Sequence, residues 1–187
     1  MRGITSLMVT ALLAAGIAAA NADEAAAPQG FWITPAIQGF GKMHPLPKGA
    51  YQPDRSKTYH VVFSLTKAGQ KPGEVSPSLD RVARTVNLYV ASGVPLSHLK
   101  FVAVASGEAT GIVLDDAHYK TTFGESNPNL PLIAALRHAG VDIAVCGQAV
   151  VEHKYEYEWV DSSVTVALSA LTTITSLEEV GYHLMPL

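Results

Sequence analysis

The feature that most constrains the fold is an alternation of short strand-like segments with amphipathic helical patterns. The strand-like segments are apolar or rich in β-branched and aromatic residues, and we predict strands over residues 58–66, 99–105, 141–145, 163–168 and 182–185. The intervening segments are long enough for crossover helices, which is typical of a parallel sheet covered on both faces. We therefore predict an α/β protein with a flavodoxin-like three-layer sandwich and a mostly parallel five-stranded sheet.

Capping signals place the predicted helices. Ser76 followed by Pro77 is typical of a helix start, and Gly93 stands just beyond the helix that this pair opens. Asn127 and Pro128 repeat the signal before a helix that stops at Gly140. We predict further helices over 112–123, from 148 to 152, and over 170–180. Residues 153–159 alternate aromatic and charged side chains, which favours a strand or an extended arm.

The first 57 residues precede the predicted sheet. Arg2, an uncharged apolar stretch over 7–20 and the small residues Ala20 and Ala22 predict a cleavable secretory signal peptide over residues 1–22. An uncleaved anchor is the alternative. Residues 23–57 contain five prolines among scattered aromatics, which predicts an irregular arm that docks on the domain or on a neighbouring subunit. The α/β domain then spans 58–187, and we expect no membrane association after signal cleavage.

Composition limits the possible partners and the possible chemistry. The 187-residue chain carries a formal net charge of −3 and has no basic run, so nucleic acid is an unexpected partner. Its one cysteine, Cys146, excludes an internal disulfide. In an oxidising compartment that thiol is buried, paired between chains, or kept for chemistry.

Cys146 stands where the third predicted strand ends and a helix begins. In a parallel sheet the carboxyl ends of the strands line the ligand crevice, so we expect Cys146, Gly147 and Gln148 to lie at that edge. Residues after the second strand, namely Ser106, Gly107 and Glu108, are expected beside them. Backbone N–H groups at a helix start lower a thiol pKa and favour the nucleophilic thiolate. A buried cysteine that only packs remains the other interpretation.

We expect neither a metal nor a cofactor. The group of Asp115, Asp116 and His118 only superficially resembles a metal site, and the seven histidines include no pair at i, i+4 spacing. There is also no glycine-rich phosphate loop after the first strand, which disfavours flavin or nucleotide binding.

Several short motifs together resemble one protein family. They occur at residues 145–148, 127–130, 132–136, 167–170 and 181–186, and in the arm at 39–41 and 44–47. Together, and in their order along the chain, they resemble the DsrE/DsrF-like sulfur-relay family, and most closely its exported, periplasmic branch. The resemblance implies a flavodoxin-like fold, a periplasmic location and assembly into trimers or hexamers. It also implies that a cysteine accepts sulfane sulfur as a persulfide and passes it on, a role that transfers only to Cys146.

Two positions differ from the family pattern. Relatives often have His-Gly after the second strand, where this chain has Ser106 and Gly107. Many also have a Leu-Pro-Gly-type turn before the fourth strand, which residues 159–162 replace. Two functions follow as hypotheses. One is a sulfur carrier that exchanges with a thiol or persulfide protein or with a small sulfur compound, and the other is a non-catalytic oligomeric module that binds a small ligand or sulfur species.

Overall fold

The computed structural model describes residues 30–187. The predicted signal peptide over 1–22 and the first residues of the predicted arm lie outside this range. The described chain contains one five-stranded sheet, in which every neighbouring pair is parallel and the strand order is β4-β3-β2-β1-β5. The strands are β1 (Tyr59–Leu65), β2 (Leu99–Ala105), β3 (Asp142–Cys146), β4 (Thr165–Ala167) and β5 (His183–Pro186). The predicted α/β flavodoxin-like fold is confirmed.

Five α-helices connect and cover the strands. They are α1 (Pro77–Ala91), α2 (Asp116–Phe123), α3 (Leu130–His138), α4 (Gly147–Glu152) and α5 (Ala170–Glu179). Three short 3₁₀ helices add Leu96–His98, Gly107–Val113 and Tyr157–Trp159. Ser76 caps α1 as predicted, because its hydroxyl accepts the N–H of Leu79. Within residues 30–187, no helix combines the length and the hydropathy that crossing a bilayer requires.

The two faces of the sheet carry different layers. On the first face, Phe63, Phe101 and Ile143 belong to a large core that includes the buried sides of α1 and α3. On the second face, a smaller cluster joins Val104, Cys146 and neighbouring strand residues to α5. Successive strand residues alternate between these clusters, as the two-residue period of a strand requires.

The chain changes face at β4. After β3, Val150 and Val160 pack into the first-face core, whereas α5, which follows β4, packs on the second face. Ligands of parallel sheets bind at the carboxyl ends of the strands. Cys146 lies at the carboxyl end of β3 and pairs in register with Ala167 of β4.

Residues 153–159 form a turn and a 3₁₀ helix, so the prediction of a strand or extended arm is wrong there. The segment pairs with residues 113–115 instead of joining the sheet: Asp115 N–H donates to the Trp159 carbonyl at 2.8 Å, and Leu114 and Val160 form an isolated bridge. The Trp159 ring stacks on His118 with 4.8 Å between centroids. The Trp159 side chain therefore packs on α2, whereas Tyr157 is exposed and Tyr155 packs against the first-face core.

Two helix starts also differ from the prediction. The helix expected over 112–123 is divided at Leu114, because Asp115 accepts the N–H of His118 and begins α2. The next helix starts at Leu130, because the Asn127 side chain bonds elsewhere. Its amide donates to the carbonyls of Ile112 and Leu114 and its oxygen accepts from Asn129, so Asn127 joins two loops instead of capping α3.

Residues 30–57 form turns and one isolated bridge between Ile33 and Met43. They pack on α1 through the fully buried Asn87. Its side-chain oxygen accepts the N–H groups of Ala36 and Ile37, each at 2.9 Å, and its amide donates to the carbonyls of Phe40 and Gly41. Four hydrogen bonds from one side chain thus attach this segment to its own domain.

Candidate functional site

Cys146 is the last residue of β3 and immediately precedes α4. Its side chain lies on the second face of the sheet, against Ala149 and Ala170. Only 6% of the residue is exposed to solvent. A buried apolar setting alone would make this thiol inert.

Hydrogen-bond donors surround the Cys146 sulfur. Burial raises the pKa of the thiol, but hydrogen bonds from the backbone N–H groups of Ala170, Ala149 and Gln148, together with one to Ser169, lower it further than burial raises it. The net result is a Cys146 pKa below the ordinary value for cysteine. The site therefore stabilises the thiolate, which is the nucleophilic form.

Two helix starts supply these donors. Gln148 and Ala149 belong to the first turn of α4, and Ala170 is the first residue of α5. Ser169 is the N-cap of α5; its Oγ accepts the N–H of Leu171 at 3.2 Å and lies 4.0 Å from Sγ of Cys146. The hydroxyl can donate its own proton to a thiolate while it accepts from Leu171.

Gly147 allows β4 to approach the site closely. A Cβ atom at this position would lie 2.8 Å from the carbonyl oxygen of Ala167, which is backbone and cannot swing aside. The neighbouring Gln148 amide donates to the carbonyl of Leu168 at 3.2 Å. Gly147 and Gln148 thus hold the start of α4 against the end of β4, and this contact brings Ser169 to the sulfur.

The residues after β2 lie in other surroundings. The Ser106 N–H donates to the Leu65 carbonyl, and the Gly107 carbonyl lies 2.9 Å from a ring nitrogen of His153. Glu108 pairs with Lys67 at 3.5 Å and lines two pockets, neither of which includes Cys146 or its hydrogen-bond partners. The structure therefore brings Gly147 and Gln148 together with Cys146, but it does not bring Glu108 to the thiol.

The comparisons with known proteins agree with this fold. Residues 57–187 match the sequence model of the DsrE/DsrF-like family. The chain belongs to the DsrE/DsrF-like family. A search of curated proteins finds no significant match in sequence. Among solved structures, the protein of unknown function MTH1491 from Methanobacterium thermoautotrophicum is similar at a TM-score of 0.52 and 16% identity, with 69% of this chain and 99% of that chain covered. This likeness supports the fold.

Sequence reasoning missed Ser169 and Ala170 as site residues of this DsrE/DsrF-like protein. A serine directly before the helical pattern of 170–180 is an N-cap signal, so the start of α5 could be found in the sequence. The closeness of Ser169 to Cys146 could not be found in the sequence, because these two residues are 23 positions apart and meet only through the pairing of β3 with β4.

The remaining polar candidates have structural roles. Asp115 caps α2 and pairs with His118 at 2.8 Å, and this hydrogen bonding outweighs desolvation to lower the Asp115 pKa. Asp116 accepts the N–H of Asn127 at 2.8 Å. In the part of the chain that the structure describes, no three His, Cys, Asp or Glu side chains are grouped as a metal site would require.

Proposed function

We propose that this DsrE/DsrF-like protein carries sulfane sulfur on Cys146. The observation that supports the proposal is the lowered pKa of a thiol that receives hydrogen bonds from two helix starts. A cysteine that serves only for packing has no need of donors aimed at its sulfur. Cys146 also lies at the carboxyl end of β3, the edge of a parallel sheet at which ligands bind.

The proposed chemistry is two successive exchanges at the outer sulfur of a persulfide. The Cys146 thiolate attacks the terminal sulfur of a donor R–S–SH, the S–S bond of the donor breaks, and R–S⁻ leaves and takes up a proton. Cys146 then holds –S–SH. An acceptor thiolate attacks that outer sulfur, and Cys146 leaves as the stabilised thiolate. No external oxidant or reductant is needed, and a low pKa helps Cys146 both as nucleophile and as leaving group.

Loading of the cysteine tests this proposal. The purified protein is incubated with a small persulfide, and intact and peptide mass spectra are recorded. We expect one added sulfur atom on the peptide that contains Cys146, and none in the Cys146→Ser variant. If Cys146 of the native protein neither gains sulfur nor reacts with iodoacetamide, the sulfur-carrier proposal is wrong. A ligand-binding module without turnover would then be the better explanation.

We propose further that the protein forms homo-oligomers, trimers or hexamers, through the apolar surface beside the thiol. Leu168 and Leu171 flank Ser169 and are 73% and 79% exposed, and Val166 of β4 is exposed next to them. Apolar side chains clustered on a surface commonly mark an interface. The combined Leu168→Ser and Leu171→Ser variant is expected to lower the mass measured by light scattering. Leu46→Ser, which removes an exposed leucine of the arm, is the matched control.

The export of the protein to the periplasm is also a proposal, which the pattern of residues 1–22 supports. Expression of the full chain in a Gram-negative host, followed by cell fractionation and N-terminal sequencing, tests it. We expect a periplasmic product that begins near Asp23. A product that keeps Met1 and stays in the cytoplasm contradicts it.

A further inference from the structure

The Gln148 side chain joins the two groups of donors that surround the Cys146 sulfur. The backbone N–H of Gln148, in the first turn of α4, donates to the sulfur. The side-chain amide of the same residue crosses to the end of β4 and donates to the Leu168 carbonyl at 3.2 Å. The next two residues, Ser169 and Ala170, supply hydrogen bonds to the sulfur from the start of α5. These contacts therefore form a closed ring around the thiol.

Only one link of this ring lies at the protein surface. Cys146 and Ala170 are both buried. Gln148, in contrast, is the one exposed residue among residues 143–150, and Leu168 is largely exposed as well. The hydrogen bond between the Gln148 amide and the Leu168 carbonyl therefore lies on the solvent side of the ring.

This outer link is also the weakest contact of the ring. It is a neutral side-chain hydrogen bond in contact with water, which replaces the bond when it breaks. The inner bonds to the thiolate are charge-assisted, and most of their donors are backbone N–H groups held in place by α4 and α5. Rotation of the Gln148 side chain is therefore enough to open the solvent side of the ring, and it leaves the backbone donors where they are.

We propose that the Gln148 side chain is a latch that controls the access of sulfur donors to Cys146. While its amide is bonded to the Leu168 carbonyl, the side chain obstructs the approach to the buried sulfur. When the side chain rotates away, a persulfide reaches a thiolate that keeps its backbone donors in both states. The inference rests on the proposed sulfur loading of Cys146, and it explains how a residue that is 6% exposed becomes loaded.

The rate of alkylation of Cys146 by iodoacetamide over a pH series tests the latch. Gln148→Met keeps the length of the side chain and removes its donor. We expect the limiting rate at high pH to rise about fivefold, the ratio that corresponds to the loss of a hydrogen bond of about 1 kcal/mol. The midpoint of the profile reports the thiol pKa and should not move, because the backbone donors remain.

A second glutamine provides the matched control. Gln70 is exposed in the loop after β1 and lines two pockets that do not include Cys146, so Gln70→Met should change neither the limiting rate nor the midpoint. Thermal melting verifies that both variants are folded. An unchanged limiting rate in Gln148→Met would overturn the latch. A midpoint that moves to higher pH without a gain in limiting rate would overturn it too, since the side chain would then hold the donors in place instead of covering the thiol.

Sulfur loading separates the latch from the proposed function. With a small persulfide as the donor, Gln148→Met should gain one sulfur faster than the unmodified protein and to the same final extent. If alkylation is faster in the variant but neither protein gains sulfur, the latch holds and the sulfur-carrier proposal fails. If both proteins gain sulfur at the same rate, the latch is wrong and the sulfur carrier stands.

Discussion

At the scale of single residues, the reactivity of Cys146 depends on donors from the starts of α4 and α5. The Ser169 hydroxyl is the one side-chain donor among them. Ser169→Ala should raise the Cys146 pKa. It should also remove the α5 N-cap, which lowers the free energy of unfolding by about 1 kcal/mol. The pH dependence of the rate of alkylation by iodoacetamide measures this pKa.

A matched pair of variants separates the capping role from the electrostatic one. Both Ser169→Asn and Ser169→Asp keep a good N-cap, but only the aspartate places a negative charge beside the thiolate. We expect the alkylation profile of the aspartate variant to shift to higher pH than that of the asparagine variant. Superimposable profiles would show that Ser169 does not face the sulfur in solution.

The lowered thiol pKa also predicts a pH-dependent stability. Between the folded and the unfolded pKa of Cys146, the unfolded chain binds more protons, so the free energy of unfolding rises with pH. This contribution is complete above the unfolded pKa and is lost as pH falls through the folded pKa. The free energy of unfolding is measured by urea denaturation over a pH series for the unmodified protein and for Cys146→Ser. We expect the unmodified protein to gain stability relative to Cys146→Ser as the pH rises. A difference that does not change with pH contradicts the lowered Cys146 pKa.

At the scale of elements, the contact between α4 and β4 forms the site. Gly147→Ala would place a methyl group 2.8 Å from the Ala167 carbonyl oxygen, so β4 or α4 must move. We expect a loss of about 1–3 kcal/mol in the free energy of unfolding, typical of overpacking, and a raised Cys146 pKa as Ser169 moves away. Gly73→Ala is the control, because its methyl group would meet only the flexible Glu125 carboxylate. Equal stability of the two variants would argue against the close approach.

The attachment of residues 30–57 to α1 gives another prediction at this scale. Asn87→Ala leaves the N–H groups of Ala36 and Ile37 without their acceptor, and unpaired buried groups cost about 1–3 kcal/mol each. We expect lower stability and rapid proteolysis within 30–57. Thr85→Ala, on the exposed side of the same helix, should change neither. Resistance of this segment to protease in the Asn87 variant would contradict the attachment.

Local pattern predicted the elements that depend on local chemistry. The β2 strand follows the apolar run over 99–105, and α1 follows the cap at Ser76, so both boundaries could be found in the sequence. The start of α3 could not, because Asn127 bonds to carbonyls of residues 112 and 114 that only the tertiary fold brings near. The prediction for residues 153–159 is wrong for the same reason, since Trp159 packs on His118 of α2, which only the tertiary fold brings near.

At the scale of the whole molecule, the change of face at β4 brings the start of α5 to Cys146. The sequence correctly placed Cys146 at the carboxyl edge of a parallel sheet. Because the sequence does not show which face each connection takes, it grouped Glu108 with Cys146 at one edge. The fold instead divides that edge between a thiol on the α5 side and a pocket with basic side chains on the α1 side.

The transfer of one labelled sulfur tests the proposed function most directly. The protein is loaded from a donor whose sulfane sulfur carries an isotopic label, excess donor is removed, and a low-molecular-weight thiol is added under anaerobic conditions. We expect the label to leave Cys146 and to appear in the acceptor persulfide in equal amount, with no label retained or transferred by Cys146→Ser. Label that never binds Cys146, or that binds and cannot be passed to any thiol, would contradict a sulfur carrier.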